Sequence, residues 1–127
     1  MLDLIISADN NGKFDIVAVD RTAALMRELQ VLTPHLELVI GVFKGQRELA
    51  VYARDVAISS EKLKKMLQKY GQQSCLVLWP KAGAAEEFSG ADDAKFLPKM
   101  IQTSHVLQDE NGTYFPLTNQ MVQFNAG

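Results

Sequence analysis

The sequence predicts an α+β fold, a mostly antiparallel β-sheet built from hairpins with helices packed on one face. Three observations lead to this prediction. Residues 36–54 alternate in the manner of two strands joined at Lys44-Gly45-Gln46. Residues 61–70 place apolar side chains at helical spacing, and residues 75–79 form the short apolar run typical of a buried strand. The 127 residues are expected to form a single domain, 1–127.

The first twenty residues are predicted to form the first hairpin. Residues 4–6 are apolar, and the segment Asp9-Asn10-Asn11-Gly12 is rich in residues that tolerate the positive φ angles of tight turns. Residues 14–19 are then expected to return as the second strand.

The first main helix is predicted over residues 21–32. Asp20 is the expected N-cap, because its carboxylate can accept hydrogen bonds from the first amides of the helix. Pro34 is expected to end the helix, since the residue before a proline is displaced from the α region. The apolar positions recur at helical spacing: Leu25, Leu29 and Leu32.

The second main helix is predicted over residues 60–70. Ser59 can cap it, which places Ile58 and Leu63 at the two positions of a hydrophobic staple. Gly71 provides the left-handed residue that commonly ends a helix. The apolar stripe consists of Leu63, Met66, Leu67 and Tyr70.

The remainder is predicted to contain a loop, a short helix and a third hairpin. Residues 81–91 show little pattern and are expected to form the loop, followed by a short third helix over 92–102. Residues 106–110 and 113–117 are expected to pair around Asn111-Gly112, a strong hairpin signal.

Composition excludes several classes of protein. A net charge of -2 is too balanced for a whole-domain nucleic-acid binder, and 47% hydrophobic residues indicate a globular chain. The single cysteine excludes an intramolecular disulfide, and no apolar run reaches the roughly 20 residues that cross a bilayer. We therefore expect a cytoplasmic protein without membrane contact, either a monomer or a homodimer.

The loop 81–91 and the acidic segment after it are the predicted partner-binding site. A loop longer than usual is often functional, and an exposed Phe88 would anchor a protein partner. The residues of this site are Phe88, Glu86, Glu87, Asp92 and Asp93.

A basic face is the alternative site, and it would contact nucleic acid. Residues 44–69 contain seven Lys or Arg residues and three acidic residues. Lysines opposite an apolar helical stripe are also what an ordinary solvated helix shows. The residues of this face are Arg47, Arg54, Lys62, Lys65 and Lys69.

No catalytic, cofactor or metal-binding signature is present in the sequence. His35 and His105 have no metal-ligand spacing to each other or to Cys75, so structural roles are expected for both. A Cys75–His105 nucleophile pair has no motif that would lower the thiol pKa. An enzyme with a site assembled from scattered residues, such as Asp55, His105 and Cys75, stays open.

About a third of the chain resembles a pattern in small uncharacterised proteins of phages and other mobile elements. The resemblance lies in the segments GVFKGQRELAVYAR and KKMLQKYGQQSCLVL. It implies an origin in an accessory gene, whose products commonly bind and block a host protein, and it implies no activity. The matching positions are Lys44, Gly45, Glu48, Tyr70, Gly71, Gln72, Ser74 and Leu76.

The sequence thus favours a small non-enzymatic protein-binding module, and the resemblance implies a phage or mobile-element accessory or inhibitor protein that acts on a host protein. The alternatives are a nucleic-acid-binding protein that uses the basic face and a small enzyme whose site is not visible in sequence.

Overall fold

The fold was determined as a computed structural model. The structure describes residues 1–10, 12–43, 46–79, 81, 84–90, 105–108 and 114–116. Its helices are α1 (Ile16–Gln30) and α2 (Ser60–Lys69). Its strands are β1 (Leu2–Ser7), β2 (Leu36–Phe43), β3 (Gln46–Val56), β4 (Ser74–Trp79), β5 (Ala84–Ser89), β6 (His105–Gln108) and β7 (Tyr114–Pro116).

These strands form one sheet in the order β5-β4-β1-β3-β2-β6-β7, and every neighbouring pair is antiparallel. The first six elements run β1-α1-β2-β3-α2-β4, and their strands lie in the order β4-β1-β3-β2. This is the split-βαβ topology of ferredoxin-like folds. The predicted α+β class and the mostly antiparallel sheet are therefore confirmed. A fold of this kind does not by itself assign a function.

Both helices pack on the same face of the sheet, as predicted. Alternate side chains of β1, such as Leu4 and Ile6, join one buried cluster with Leu25 of α1 and Leu67 of α2. Ile5, between them on the strand, belongs to a second buried cluster on the opposite face. Other members of that second cluster are Val39, Ala50, Tyr52, Leu76, Leu78 and Ala85.

The first predicted hairpin is wrong, because residues 16–19 are helical and β1 lies between β3 and β4. The N-cap of α1 is Asp15, whose Oδ1 accepts a hydrogen bond from the Ala18 amide at 2.9 Å. The β-branched residues in this segment are typical of a strand. Burial of one side of α1 against the sheet favours the helix and outweighs this preference. A continuous helical stripe is buried: Ala18, Thr22, Leu25 and Leu29.

The second hairpin and the second helix are confirmed. Strands β2 and β3 pair from Leu36 opposite Ala53 to Phe43 opposite Gln46. The side chain of Ser59 accepts from the Lys62 amide at 3.1 Å and caps α2. Gly71 follows with a φ of 64°. This positive φ explains why a glycine stands after the helix.

The predicted loop 81–91 is largely strand β5, which pairs with β4 from Ser74 opposite Ser89 to Trp79 opposite Ala84. The residues of β5 are mostly small or polar and have a weak intrinsic β-propensity, so the sequence did not indicate a strand. Pairing with the buried β4 outweighs this weak propensity. The third hairpin is present as β6 and β7. The predicted helix over 92–102 and the turn at Asn111-Gly112 lie outside the described residues.

Candidate functional site

The segment between β1 and α1 is held against the sheet by its own polar groups. The Ser7 hydroxyl donates to the Leu49 carbonyl at 2.6 Å. The Asp9 carboxylate accepts from the Leu49 amide at 3.0 Å and from the Gly12 amide at 3.1 Å. Asp9 is only 2% exposed, so these bonds satisfy polar oxygens that are buried away from water. The segment that leads into α1 is thereby fixed to β3.

The fixed segment leads into a group of exposed apolar side chains. Seven large hydrophobic residues are exposed in the described part of the chain, and four of them lie between positions 14 and 19. We call these four residues the α1 patch; they are Phe14 (39% exposed), Ile16 (70%), Val17 (57%) and Val19 (47%).

The backbone at the α1 patch is also unusual. Phe14 has a φ of 53°, the left-handed region, in which a residue with a bulky side chain is strained. Such a conformation costs on the order of 1–2 kcal/mol and is more frequent at functional sites. Ile16, Val17 and Val19 are β-branched, and neither helix propensity nor burial explains their presence in the first turn.

Farther along α1, a groove lies between this helix and the end of α2. Its cavity volume is about 470 Å³, and its lining includes Arg21, Arg27 and Lys69. The Arg21 Nε donates to the Ala8 carbonyl at 2.7 Å, and its Nη2 donates to the Tyr70 carbonyl. The guanidinium of Arg21 is therefore fixed in place by the backbone.

Glu48 and Asp9 form a pair of carboxyl groups near the start of β3. Partial burial and then the charge of Asp9 raise the pKa of Glu48 to about 7. A carboxylic acid with this pKa can exchange a proton at neutral pH. In the part of the chain that the structure describes, however, no group of three His, Cys, Asp or Glu residues is placed to hold a metal ion.

At the other end of β1, a second polar group has a structural role. Asp3 Oδ1 accepts from the Asp55 amide at 3.0 Å, where a bulge gives Asp55 a φ of 55°. The Tyr52 hydroxyl donates to the other oxygen of Asp3 at 3.4 Å. Burial raises the pKa of both Asp3 and Tyr52. These contacts close the bulge.

The structure places the predicted partner-binding residues on β5 or outside the described residues. Phe88 is 2% exposed and packs in the buried cluster beneath the helices. It is therefore not the exposed anchor that the sequence predicted. Glu86 is also buried, and its Oε1 accepts from the Trp79 indole at 3.3 Å. Glu87 is half-buried opposite Leu76. Asp92 and Asp93 lie outside the described residues.

The basic residues of the alternative site are divided between the two faces of the sheet. Arg54 shares a face with Tyr52, its guanidinium carbon 5.7 Å from the ring centroid, and pairs with Glu37 at 3.0 Å. The α2 lysines project from the helical layer on the other face, while Arg47 is exposed on β3. Of these lysines, Lys62 is exposed, Lys65 lies 3.8 Å from Glu61, and Lys69 lies 3.2 Å from Glu28.

The residues considered for nucleophilic catalysis are also far apart. Cys75 is buried on β4, and burial raises the pKa of its thiol. His105 is the first residue of β6. Three strands lie between β4 and β6, so these two strands are four inter-strand spacings apart, about 19 Å at ~4.8 Å for each spacing. His35 is exposed at the entrance to β2.

The comparisons with known proteins add no assignment. No protein-family model matches the chain, and no curated protein matches it significantly. Within the described ranges, neither helix is long and apolar enough to cross a membrane.

Proposed function

We propose that this chain is a non-enzymatic protein-binding module that docks a partner protein through the α1 patch. The observation that carries the proposal is the grouping of four exposed apolar side chains within six residues, at Phe14, Ile16, Val17 and Val19. Contiguous apolar surface with a polar rim is characteristic of protein interfaces. Exposed Lys13 and Asp20 flank the patch and provide such a rim.

Local conformational preference favours the same interpretation. Alanine or a long polar residue in the first turn of α1 would give a more stable free helix than an exposed β-branched residue. The carboxylate of Asp9 and the cap at Asp15 nevertheless hold this turn in place. A preorganised apolar surface loses little conformational entropy on binding, which favours affinity.

The competing functions have weaker support. A nucleic-acid contact through Arg54 and the α2 lysines would have to involve both sides of the sheet. An enzymatic role would rest on Glu48 and Asp9 alone. The cytoplasmic location and the mobile-element origin stay predictions from the sequence, as does a host protein as the target.

Site-specific photo-crosslinking tests the proposal. A photoreactive phenylalanine analogue replaces Val17 in one variant and Lys62, which is exposed on α2, in the control. Both proteins are irradiated in lysate of the cells from which the chain comes. We expect a discrete crosslinked protein from position 17 that is missing from position 62. A product that is equally abundant from both positions would contradict the proposal.

A second pair of variants tests the apolar character of the patch. In the protein that carries the photoreactive residue at position 17, Ile16→Glu with Val19→Glu removes two exposed apolar side chains, and acidic residues in a first helical turn favour the helix dipole. We expect an unfolding temperature no lower than that of the wild type and loss of the crosslinked protein. The matched control is Leu38→Thr, which removes another exposed apolar side chain, on β2, and should leave binding intact. Undiminished capture by the double variant would refute the assignment.

A further inference from the structure

The groove between α1 and α2 concentrates positive charge around one aromatic ring. The guanidinium carbon of Arg21 lies 5.9 Å from the centroid of Tyr70, and the ammonium of Lys69 lies 5.7 Å from it. Arg27 also lines the groove. The ring attracts both cations, but it does not neutralise them.

One carboxylate, Glu28, lies among these cations. It accepts a hydrogen bond from the Tyr70 hydroxyl, and its Oε2 lies 3.2 Å from the Lys69 ammonium. Three cations and one carboxylate leave the lining with a formal charge of +2, although the whole chain carries -2. Like charges held close together are unfavourable, and an anion in the groove would relieve their repulsion.

From this arrangement we infer that the groove binds a small phosphomonoester. A phosphomonoester carries a charge of about -1.5 to -2 at neutral pH, which matches the +2 of the lining. Guanidinium groups form strong charge-assisted hydrogen bonds to phosphate oxygens. The bonds from the Nε and Nη2 of Arg21 to the Ala8 and Tyr70 carbonyls hold this guanidinium in place at the groove. The rigid Arg21 thus supplies a preorganised donor, while the exposed Arg27 can close over the ligand.

The size of the groove and its apolar lining define the rest of the ligand. A volume of about 470 Å³ falls within the usual range for small-molecule sites. Ala24 and Val31 line the groove together with the cations. The ligand should therefore carry a compact apolar or aromatic group beside its phosphate.

Titration with phenyl phosphate, followed by two-dimensional NMR of the backbone amides, tests the inference. We expect saturable shifts centred on Arg21, Arg27, Lys69 and Tyr70, with a Kd below about 1 mM. Inorganic phosphate should bind at the same residues more weakly, and benzyl alcohol should not bind. The affinity should fall below about pH 6, where the phosphomonoester becomes a monoanion.

Two double variants that lose the same charge provide the control. Arg27→Gln with Lys69→Gln should weaken binding of phenyl phosphate at least about tenfold, equivalent to 1.4 kcal/mol. Lys62→Gln with Lys65→Gln, on α2 outside the groove lining, should leave the affinity nearly unchanged. All four side chains are exposed, so folding should persist in both variants, as circular dichroism would verify.

Several results would overturn the inference. One is the absence of saturable binding of either phosphate, and another is an equal loss of affinity in both double variants. Displacement of phenyl phosphate by an oligonucleotide without a terminal phosphate would assign the groove to nucleic-acid backbone instead. None of these results bears on the α1 patch, because the probe is a defined small molecule and no partner protein is involved.

Discussion

Glu48 lies beside the buried carboxylate of Asp9, and its pKa is raised to about 7 by partial burial and by that negative charge. Its ordinary value is 4.5, so the folded protein holds more protons than the unfolded chain between these two values. The free energy of unfolding should therefore decrease as the pH rises from about 4.5 to 7.

The corresponding experiment is chemical denaturation of the wild type and Glu48→Gln across this range. One pKa unit corresponds to about 1.4 kcal/mol, and partial exposure of Glu48 reduces the effect, so we expect a decrease of roughly 1–2 kcal/mol. Glu48→Gln should flatten most of this dependence. The exposed Glu37→Gln is the control and should retain it, and identical slopes in the two variants would exclude Glu48 as the cause.

Asp9 should stabilise the fold through its hydrogen bonds to the Leu49 and Gly12 amides. Asp9→Ala leaves both donors without this acceptor, and each buried unsatisfied group costs about 1–3 kcal/mol. Asp9→Asn keeps one acceptor oxygen and should lose less. Urea denaturation measures the difference, and equal stability of the two variants would contradict this account.

Asp15, and not Asp20, should be the helix cap that contributes to stability. Asp15→Ala removes the hydrogen bond to the Ala18 amide and should destabilise the protein by about 1 kcal/mol. Asp20→Ala changes an exposed residue within α1 and should stay within about 0.5 kcal/mol of the wild type. The reverse order of the two effects would support a later start of the helix.

Phe88 should behave as a core residue. If Phe88 were an exposed anchor, Phe88→Ala would weaken partner binding without loss of stability. Its burial in the cluster beneath the helices instead predicts that Phe88→Ala destabilises the fold by about 3–5 kcal/mol. Thermal denaturation checks this prediction, and an unchanged melting temperature would contradict it.

Cys75 should be unreactive in the native protein. The side chain is 1% exposed and burial raises the pKa of its thiol, so little thiolate is available near neutral pH. An aromatic disulfide reagent should label it only as fast as the protein unfolds, and the rate should rise with added denaturant. Rapid labelling without denaturant would indicate local opening of β4.

Sequence reasoning succeeded where local and tertiary signals agree. In α2 the cap at Ser59, the apolar stripe and Gly71 mark the same element, and burial follows the stripe. At the start of α1 these signals disagree, because the β-branched Ile16, Val17 and Val19 are typical of a strand. The buried spacing of Ala18, Thr22, Leu25 and Leu29 was the signal for an earlier helix start.

The candidate sites were less accessible to sequence reasoning than the fold. The α1 patch was hidden by the wrong assignment of residues 14–19, since alternating strand residues would have been half buried. The groove combines Arg21 and Arg27 with Lys69, which is 42 residues beyond Arg27 in the chain. Only the packing of α1 beside α2 brings them together, and periodicity within one helix contains no information on that packing.

The position of β1 has a consequence for the order in which the chain can fold during synthesis. Residues Leu2–Ser7 are synthesised before both of their partner strands, β3 and β4, which end at Val56 and Trp79. An apolar segment must therefore wait for most of the domain to emerge before its backbone amides and carbonyls find partners. Until then it is a candidate for chaperone binding or for pairing with another nascent chain. A strand that is fully buried in the native sheet is thus open to misassembly until folding is complete.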